Sequence, residues 1–409
     1  MNIKPCVIGL GYVGLPVLVN LSKKFNPCGF DINKNRILNL KKNLDTTKEF
    51  TKKELQILRN AKLTSKFNEL KKCNFFIVCV PTPININKQP DLKALILACK
   101  TVSKVLKKND IIVFESTVYP GTTNKICVPI IEKFSKLYLK KNDFFVCYSP
   151  ERVNPGDAKH TLNKINKIIA VPNLEIKNTV KKVYGNLSKK LIINKSIEEA
   201  ETSKVIENIQ RDINIALMNE IYIFCEKLKI DFNNVFRLAS TKWNFGRYSP
   251  GLVGGHCLPV DPYYFSHIAK KNKIQTRVTL AGRGINEYMR KFIINKIKTI
   301  LRKNKINYKT EQILFAGLTY KKNVSDLRNS QSLKIFQFFK KKNKKVLAYD
   351  PYVEKNLTKG IIDVNKIFKL KSLKCIVILV EHNYFQKVIK KINKKIKLIN
   401  IFNLQNNKH

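Results

Sequence analysis

The sequence of 409 residues lacks any long apolar segment. No run approaches the roughly 18 apolar residues that a membrane span requires, so we expect no membrane partner. The strand-like run Cys6-Val7-Ile8 starts too near the first residue for a charged-then-apolar secretion signal. With 44% hydrophobic residues the chain can build substantial cores, and its length favours two or three domains. These features predict a soluble globular protein of the cytoplasm.

Paired cysteine spacing is also absent. The ten cysteines are scattered, and several, including Cys79, Cys127 and Cys147, lie in apolar runs where a small buried thiol fits. Unpaired thiols favour a reducing compartment, which again indicates the cytoplasm. His256 and Cys257 are adjacent, but companion zinc ligands at a usual spacing are missing, so we expect no metal site.

Acidic residues are scarce, with 29 Asp and Glu against 78 Lys and Arg, and the net charge is +49. Such a charge would ordinarily suggest a nucleic-acid partner. The lysines, however, recur along the whole chain together with Asn and Ile, as expected of an AT-rich genome, and no aromatic-basic recognition motif accompanies them. We therefore interpret the charge as a solvated basic surface. A nucleic-acid-binding protein on a Rossmann scaffold is a distant alternative.

Strand and helix patterns alternate along the first part of the chain. Apolar strand patterns at residues 5–11, 28–31, 75–80, 111–114 and 144–148 are separated by helical stretches such as 91–108. This alternation predicts a parallel sheet covered on both faces. A long helix is predicted over 196–230. A second alternation starts at Ile313–Gly317, with strands at 345–349 and 375–380, and predicts a smaller Rossmann-like domain.

A dinucleotide fingerprint, Gly9-x-Gly11-x-x-Gly14, follows the first strand and opens a helix. Glycines at these positions allow a tight turn and bring pyrophosphate close to the helix N-terminus. Asp31 lies twenty residues after Gly11, at the end of the next strand. A carboxylate there accepts hydrogen bonds from the adenosine ribose and repels a 2′-phosphate, which favours NAD over NADP.

The run Gly254-Gly255-His256-Cys257 with Asp261 is the second candidate site. A thiol in a chain that binds a hydride acceptor suggests oxidation of an alcohol past the aldehyde, because a thiohemiacetal can undergo a second hydride transfer. The alternative is an inert buried cysteine, but the flanking glycines and Asp261 favour the nucleophile.

Further polar residues surround the predicted crevice. Val80–Pro83 and Glu115–Gly121 each follow a strand, where ligands bind in parallel sheets, although such loops commonly only turn the chain. Lys204, Asn208 and Arg211 share one face of the long helix and could bind an anion. The alternative for them is a solvated charged face.

Taken together, these motifs resemble the nucleotide-sugar 6-dehydrogenase family, the UDP-glucose and UDP-N-acetylhexosamine dehydrogenases, over essentially the whole chain. The similarity rests on the fingerprint, Ser149–Gly156, the helix with Lys204 and Asn208, Gly254–Tyr264, and Thr319–Asn323 followed by Asp326–Arg328. The resemblance implies an NAD-binding domain (1–195), a central helical dimerisation domain (196–300) and a C-terminal Rossmann-like domain that binds the UDP-sugar (301–409). It implies a homodimer that oxidises C6 of the sugar to a carboxylate while reducing two NAD.

The resemblance also implies roles for individual residues. Cys257 would be the nucleophile, Lys204 and Asn208 would stabilise the oxyanion, Asp261 would support them, and Thr117 and Glu151 would lie near the catalytic water. The implied NAD-binding residues are Gly9, Gly11, Tyr12, Val13, Gly14, Asp31, Arg36, Pro81, Thr82, Thr117 and Arg328. The implied substrate-binding residues are Glu151, Arg152, Lys204, Asn208, Arg211, Arg247, Gly254, Tyr320, Lys321 and Arg283, the last acting in the neighbouring subunit.

Within the family, the Gly-Gly-His-Cys form resembles the branch that acts on UDP-N-acetylglucosamine or UDP-N-acetylgalactosamine for surface polysaccharides. In UDP-glucose members the run around the nucleophile resembles Gly-Ser-Cys-Phe-x-Lys-Asp. In this chain His256 stands in place of the serine, and Val260 stands in place of the lysine. The stretch Gly246–Ser249 departs from the usual pattern. UDP-N-acetylmannosamine and UDP-glucose remain the alternative substrates.

Overall fold

The computed structural model describes residues 2–153, 161–354, 359–367, 370–385 and 396–402. The chain forms two compact units. Unit 1 comprises Met1–Glu207 and Tyr263–Gln275, and unit 2 comprises Asn208–Pro262 and Thr276–His409. In the part of the chain that the structure describes, no helix is long and apolar enough to cross a membrane.

Unit 1 is built on an eight-stranded sheet with the order β3-β2-β1-β4-β5-β6-β7-β8. Its strands are β1 (Pro5–Ile8), β2 (Cys28–Phe30), β3 (Lys62–Thr64), β4 (Phe75–Val78), β5 (Asp110–Phe114), β6 (Phe144–Tyr148), β7 (Asn166–Ala170) and β8 (Lys190–Asn194). The strand order reverses direction between β1 and β4, which creates the crevice where dinucleotides bind in such sheets.

Apolar side chains cover both faces of this sheet. Along β1, Val7 joins one buried cluster while Cys6 and Ile8 join the cluster on the opposite face. Because successive residues of a strand point to opposite faces, an apolar run of this kind is buried on both sides. The helices of unit 1 are α1 (Gly14–Leu21), α2 (Lys34–Lys41), α3 (Lys52–Leu55), α4 (Lys93–Ser103), α5 (Val128–Ser135) and α6 (Lys177–Tyr184).

One feature of the sheet differs from the predicted parallel arrangement. β7 pairs with β6 in the antiparallel direction, with Tyr148 opposite Ala170, while the other strand pairs are parallel. The short β3 and the strands β7 and β8 had no clear signal in the sequence, because lysine and asparagine interrupt their apolar runs.

The long helix α7 (Ile197–Leu228) matches the helix predicted over 196–230. The helices that follow are α8 (Phe232–Ala239), α9 (Asp261–Lys271), α10 (Arg277–Lys303), α11 (Gln331–Lys342) and α12 (Val364–Ile367). Unit 2 has a parallel sheet with the order β10-β9-β11-β12. Its strands are β9 (Gln312–Ala316), β10 (Leu347–Tyr349), β11 (Leu373–Ile378) and β12 (Lys397–Asn400). The mostly parallel sheet of unit 1, the parallel sheet of unit 2 and the long helix confirm the predicted α/β class.

Candidate active site

The fingerprint loop of unit 1 requires its glycines for different physical reasons. Gly9 has a φ of +88°, and a Cβ on Gly14 would lie 1.8 Å from the carbonyl oxygen of Gly9. By contrast, a Cβ on Gly11 would meet no atom within 4 Å. Gly9 and Gly14 therefore shape the turn, whereas Gly11 leaves open space where a pyrophosphate can approach the backbone. Tyr12 and Val13, between these glycines, are half-buried.

Asp31 and Arg36 hold this loop from the side. The Asp31 carboxylate accepts hydrogen bonds from the amide of Leu10 (2.9 Å) and the amide of Asn33 (2.8 Å). The buried Arg36 guanidinium donates to the carbonyl oxygen of Leu10 (2.8 Å) and to Asp45 (2.8 Å). The carboxylate predicted to select NAD is therefore fixed beside the glycine loop before any cofactor binds, and these residues fit an adenosine ribose.

The loops that follow β4 and β5 are joined to each other. The Thr82 hydroxyl donates to the carbonyl oxygen of Thr117 (2.6 Å), and the Ser116 hydroxyl donates to that of Val80 (2.7 Å). Tyr264 donates to the carbonyl oxygen of Thr82. The exposed Pro81 lies in the first of these loops. The structure thus brings together Thr82 and Thr117, which the sequence placed in two separate motifs.

Glu151 lies three residues beyond the end of β6 and is buried. Its Oε1 accepts hydrogen bonds from the amides of Arg152 (2.7 Å) and Val153 (2.6 Å). Arg152 in turn forms an ion pair with Glu207 at 2.8 Å. The remaining residues of this motif, 154–156, lie outside the described residues.

Sequence reasoning missed the charged residues that surround Glu151. Lys167 of β7 is fully buried and donates to Glu115 (3.0 Å), and its Nζ lies 3.7 Å from Glu151 Oε2. Tyr184 donates to the other oxygen of Glu115 (2.7 Å). No local pattern marks this cluster, because Asn166 and Lys167 both interrupt the apolar run of β7 and Glu115 lies 52 positions away.

A second buried carboxylate that sequence reasoning missed is Glu201 of α7. It accepts hydrogen bonds from the amide of Gly121 and from the amide and hydroxyl of Thr123. Burial raises the pKa of Glu201 to about 7, although these hydrogen bonds act in the opposite direction. Glu201 fixes the start of α7 against the loop that follows β5, one helical turn before Lys204.

In unit 2, Cys257 is half-exposed in a loop whose backbone is tightly packed. Gly255 has a φ of +86°, and a Cβ there would lie 2.9 Å from the Tyr320 ring. A Cβ on Gly254 would lie 2.7 Å from Tyr320 Cβ. The glycines therefore allow Tyr320 to pack directly against the backbone of the cysteine loop, which holds the thiol in a defined place.

Asp261 and Asn208 meet next to this loop. The Asp261 amide bonds the carbonyl oxygen of Cys257 (2.9 Å), and the Asp261 side chain accepts a hydrogen bond from the Asn208 amide group. Both side chains are buried, as is that of Lys204, one helical turn before Asn208 on α7. Arg211, predicted to extend the same polar face, is exposed. The buried part of that face is therefore Lys204 and Asn208.

Residues 317–330 of unit 2 form the loop between β9 and α11, and this loop contains Tyr320, Lys321 and Arg328. Arg328 forms a bidentate ion pair with Asp326. The carbonyl oxygen of Arg328 accepts a hydrogen bond from the Gly255 amide (3.0 Å). The structure thus joins the predicted substrate loop to the cysteine loop.

Two predicted substrate residues have other partners. Arg283 is buried on α10 and forms an ion pair with Asp212 of the same chain at 2.6 Å. Arg247 is exposed and donates to the carbonyl oxygen of Ser240 (3.1 Å). Neither contact involves the loop of Cys257.

Family models match the chain in three successive regions. They describe the NAD binding domain, the central domain and the UDP binding domain of the UDP-glucose/GDP-mannose dehydrogenase family, at residues 1–188, 198–288 and 314–407. The chain belongs to this family. It is an NAD-dependent dehydrogenase with a UDP-binding domain, and the family resemblance and the cofactor predicted from the sequence are confirmed.

Relatives of the family are similar to the chain over most of its length. It is 43% identical over 391 residues to a UDP-N-acetyl-D-glucosamine 6-dehydrogenase of Salmonella typhi, covering 95% of this chain and 92% of that protein. It is 44% identical to a protein of the same name from Pseudomonas aeruginosa, covering 86% and 83%. The solved structure of a UDP-D-ManNAc dehydrogenase from Pyrococcus horikoshii matches with a TM-score of 0.86 at 30% identity, covering 99% of this chain and 97% of that chain.

Proposed function

We propose that this dehydrogenase oxidises C6 of a UDP-N-acetylhexosamine, UDP-N-acetylglucosamine or UDP-N-acetylgalactosamine, to the uronate for surface-polysaccharide synthesis. The relatives named UDP-N-acetyl-D-glucosamine 6-dehydrogenase support the substrate class. The observation that carries the four-electron chemistry is Cys257. All ten cysteines lie within the described residues, and nine of them are buried whereas Cys257 is half-exposed beside Asn208 and Asp261.

The thiol is the group that makes the second oxidation possible. NAD, when bound, accepts the hydride in each of the two oxidations. Cys257 adds to the C6 aldehyde and forms a thiohemiacetal. An electron pair on the oxygen of this thiohemiacetal can expel a second hydride from C6. Because it is covalently bound to this thiol, the aldehyde remains attached to the protein between the two steps. The loop packed by Tyr320 keeps the thiol in place.

Lys204 and Asn208 are proposed to stabilise the oxygen that becomes negatively charged. Both are buried, so an ammonium and an amide donor act there in surroundings with little water, where such interactions are strongest. Asp261 accepts a hydrogen bond from the Asn208 amide group, which fixes its orientation. Glu151, with Thr117, is proposed to position and deprotonate the water that hydrolyses the thioester.

The proposed ligand contacts are those that the sequence motifs indicate. In unit 1, the fingerprint glycines with Tyr12, Val13, Asp31, Arg36, Pro81, Thr82 and Thr117 bind NAD. In unit 2, the loop with Tyr320 and Lys321 binds the sugar nucleotide together with Gly254, Arg211 and Arg247, while Arg328 supports both ligands. Glu151 and Arg152 complete the sugar site. The proposed domains are 1–195, 196–300 and 301–409.

A homodimer is part of the proposal. Exposed apolar side chains lie along the central helices, at Leu217 and Phe224 of α7 and at Val278 and Tyr288 of α10. Association would remove such side chains from water. In the dimer Arg283 would support the neighbouring subunit's site through the helix that it fixes to Asp212. The free, mostly buried cysteines support a cytoplasmic location.

The test is NADH release with a panel of UDP-sugars. We expect UDP-N-acetylglucosamine or UDP-N-acetylgalactosamine to give the highest kcat/KM, with UDP-N-acetylmannosamine and UDP-glucose at least about tenfold lower, a difference of roughly 1.4 kcal/mol in transition-state binding. Highest activity with UDP-glucose would contradict the substrate assignment but leave the reaction class intact. No NADH with any of the four sugars would contradict both.

A further inference from the structure

Glu151 is part of a buried charge cluster, consisting of Glu115, Glu151, Lys167 and Tyr184, that no motif in the sequence defines. The side chains of Glu115 and Lys167 are 0% and 1% exposed. Lys167 Nζ donates to Glu115 Oε2 at 3.0 Å and lies 3.7 Å from Glu151 Oε2. One ammonium therefore serves two carboxylates, and one of these is the proposed base.

The antiparallel strand β7 explains how Lys167 reaches this position. Tyr148 of β6 is opposite Ala170 of β7, and continuing this register by three residues in opposite directions places Lys167 across from Glu151. Glu115 directly follows β5, the other neighbour of β6. In a wholly parallel sheet the start of β7 would lie at the opposite edge, so the reversal of this strand brings the lysine to the edge where β5 and β6 end.

The cluster must retain its ammonium to hold two carboxylates in a buried site. Burial raises the pKa of Glu115, and the charge of Glu151 raises it further, while Lys167 acts in the opposite direction. Burial would lower the pKa of Lys167, but attraction to Glu115 and Glu151 outweighs it and the pKa is raised. Lys167 is therefore a cation at neutral pH, and its loss would leave two like charges unpaired.

Among the described residues, the tyrosine and the cysteines that face the cluster are neutral at physiological pH. Burial raises the pKa of Tyr184 well above its usual value, so the phenol is a hydrogen-bond donor to Glu115. Burial likewise raises the pKa of Cys79, which follows β4, and of Cys147 on β6. Lys167 is therefore the cation that balances Glu115 and Glu151 within this cluster.

We propose that Lys167 is a positioning residue for thioester hydrolysis, which orients Glu151 beside Glu115. The inference rests on the proposed role of Glu151. Two backbone amides donate hydrogen bonds to Glu151 Oε1, whereas Oε2 lies 3.7 Å from Lys167 Nζ, beyond hydrogen-bond distance. Oε2 thus keeps lone pairs that can accept a proton from water.

The hydrolytic step that this arrangement serves is balanced without a further reagent. The water oxygen attacks the thioester carbonyl carbon, and Glu151 Oε2 takes a proton from that water. The C–S bond then breaks, its electron pair leaves with the Cys257 sulfur, and the product is the uronic acid. Its proton and the one held by Glu151 return to the thiolate and to solvent, which restores the thiol and the Glu151 carboxylate.

The test uses the full chain and two variants of Lys167. Lys167→Met/Glu115→Gln removes one cation and one anion together, so the charge of the buried cluster is unchanged and folding is favoured over the single Lys167→Met change. Lys167→Arg keeps the charge but places a wider planar group in the same space. Glu115→Gln alone isolates the second half of the double change. Lys164→Met makes the same chemical change at an exposed lysine three residues away.

The readout is stopped-flow NADH formation with intact-mass spectrometry, using UDP-N-acetylglucosamine. The double variant should release two NADH per site in a burst at the parental rate, and then turn over on the order of 100-fold more slowly while the thioester accumulates on Cys257. KM should fall together with kcat, so that kcat/KM stays within about threefold of the parental value, because the steps before hydrolysis are unchanged. Lys167→Arg should slow hydrolysis by roughly tenfold, and Lys164→Met should not change it.

The outcomes separate this inference from the proposed function. Parental hydrolysis in a folded double variant, or a loss no greater than that of Glu115→Gln, overturns the role of Lys167. If the double variant does not fold, parental hydrolysis in Lys167→Arg overturns it instead. Glu151→Gln is the reference for the proposed function, since parental hydrolysis there would remove Glu151 itself from the mechanism. Thioester accumulation in Glu151→Gln without accumulation in the Lys167 variants would contradict the inference about Lys167 alone.

Discussion

At the scale of single residues, the proposed role of Cys257 is to couple the two oxidations by holding the intermediate aldehyde covalently. Replacement by serine keeps the approximate shape, but an oxygen ester yields to water more slowly than a thioester. We predict that Cys257→Ser binds NAD and UDP-N-acetylhexosamine within a few-fold of the parent while turnover falls on the order of a thousandfold or more, because an activated nucleophile acts in the transition state.

Steady-state kinetics with intact-mass spectrometry after a single turnover would measure this prediction. Covalent sugar should accumulate on the introduced serine if the second oxidation still occurs. Cys375 of β11, one of the nine buried cysteines, offers a control position whose change to serine affects packing and not the covalent step. Near-parental uronate formation by Cys257→Ser would show that Cys257 is a packing residue and not the nucleophile.

Asp31 supports a second prediction at this scale. Its carboxylate is fixed by the Leu10 and Asn33 amides, so it cannot easily turn away from a 2′-phosphate. We expect NAD to be preferred over NADP by at least about tenfold, or roughly 1.4 kcal/mol, and Asp31→Ser to reduce that preference. Initial rates with both cofactors measure it, and equal activity of the parent with NADP would refute the role of Asp31.

The residues that sequence reasoning found and those that it missed differ in how far their signal extends. Gly9, Asp31 and Cys257 lie in short runs whose residue spacing by itself indicates cofactor binding or a nucleophile. Lys167 and Glu115 are 52 positions apart, and only the pairing of β6 with β7 brings them together. Long-range pairing of this kind leaves no local pattern, so a buried ion pair cannot be derived from composition or periodicity.

At the scale of elements, the turn between β1 and α1 makes distinct predictions for two of its glycines. A methyl group on Gly14 would overlap the Gly9 carbonyl, so Gly14→Ala should lower the thermal midpoint by several degrees and abolish NAD binding. Gly11→Ala meets no protein atom, so the midpoint should stay unchanged while NAD affinity falls by about tenfold or more. Thermal unfolding without ligand and NAD titration measure the two effects, and unchanged NAD affinity in Gly11→Ala would exclude this loop as the pyrophosphate site.

Prediction of the elements succeeded where apolar runs were long and failed where they were short. β5 is apolar after Asp110, β6 is apolar throughout and α7 is 32 residues long, so their positions followed from the pattern. β3 has three residues and β8 is partly exposed, which gives little signal. The direction of β7 is defined by its pairing with β6, where Tyr148 lies opposite Ala170, and the five residues of β7 carry no pattern that specifies it.

At the scale of the whole molecule, the net charge of +49 raises the question of polyanion binding. We predict weak binding to duplex DNA at low salt, without sequence preference, since the interaction would come from counterion release alone. A salt titration with two unrelated duplexes should show affinity falling in parallel for both. A sequence preference that persists as salt rises would instead indicate a specific site.

The central claim is that one chain performs both oxidations of C6 through Cys257, and the ratio of NADH formed to uronate formed tests it most directly. The measurement follows NADH by absorbance and the sugar nucleotide by mass spectrometry in the same reaction with UDP-N-acetylglucosamine. The account predicts two NADH for each uronate, with no aldehyde free in solution. One NADH for each sugar consumed, or a free aldehyde that accumulates, would contradict it.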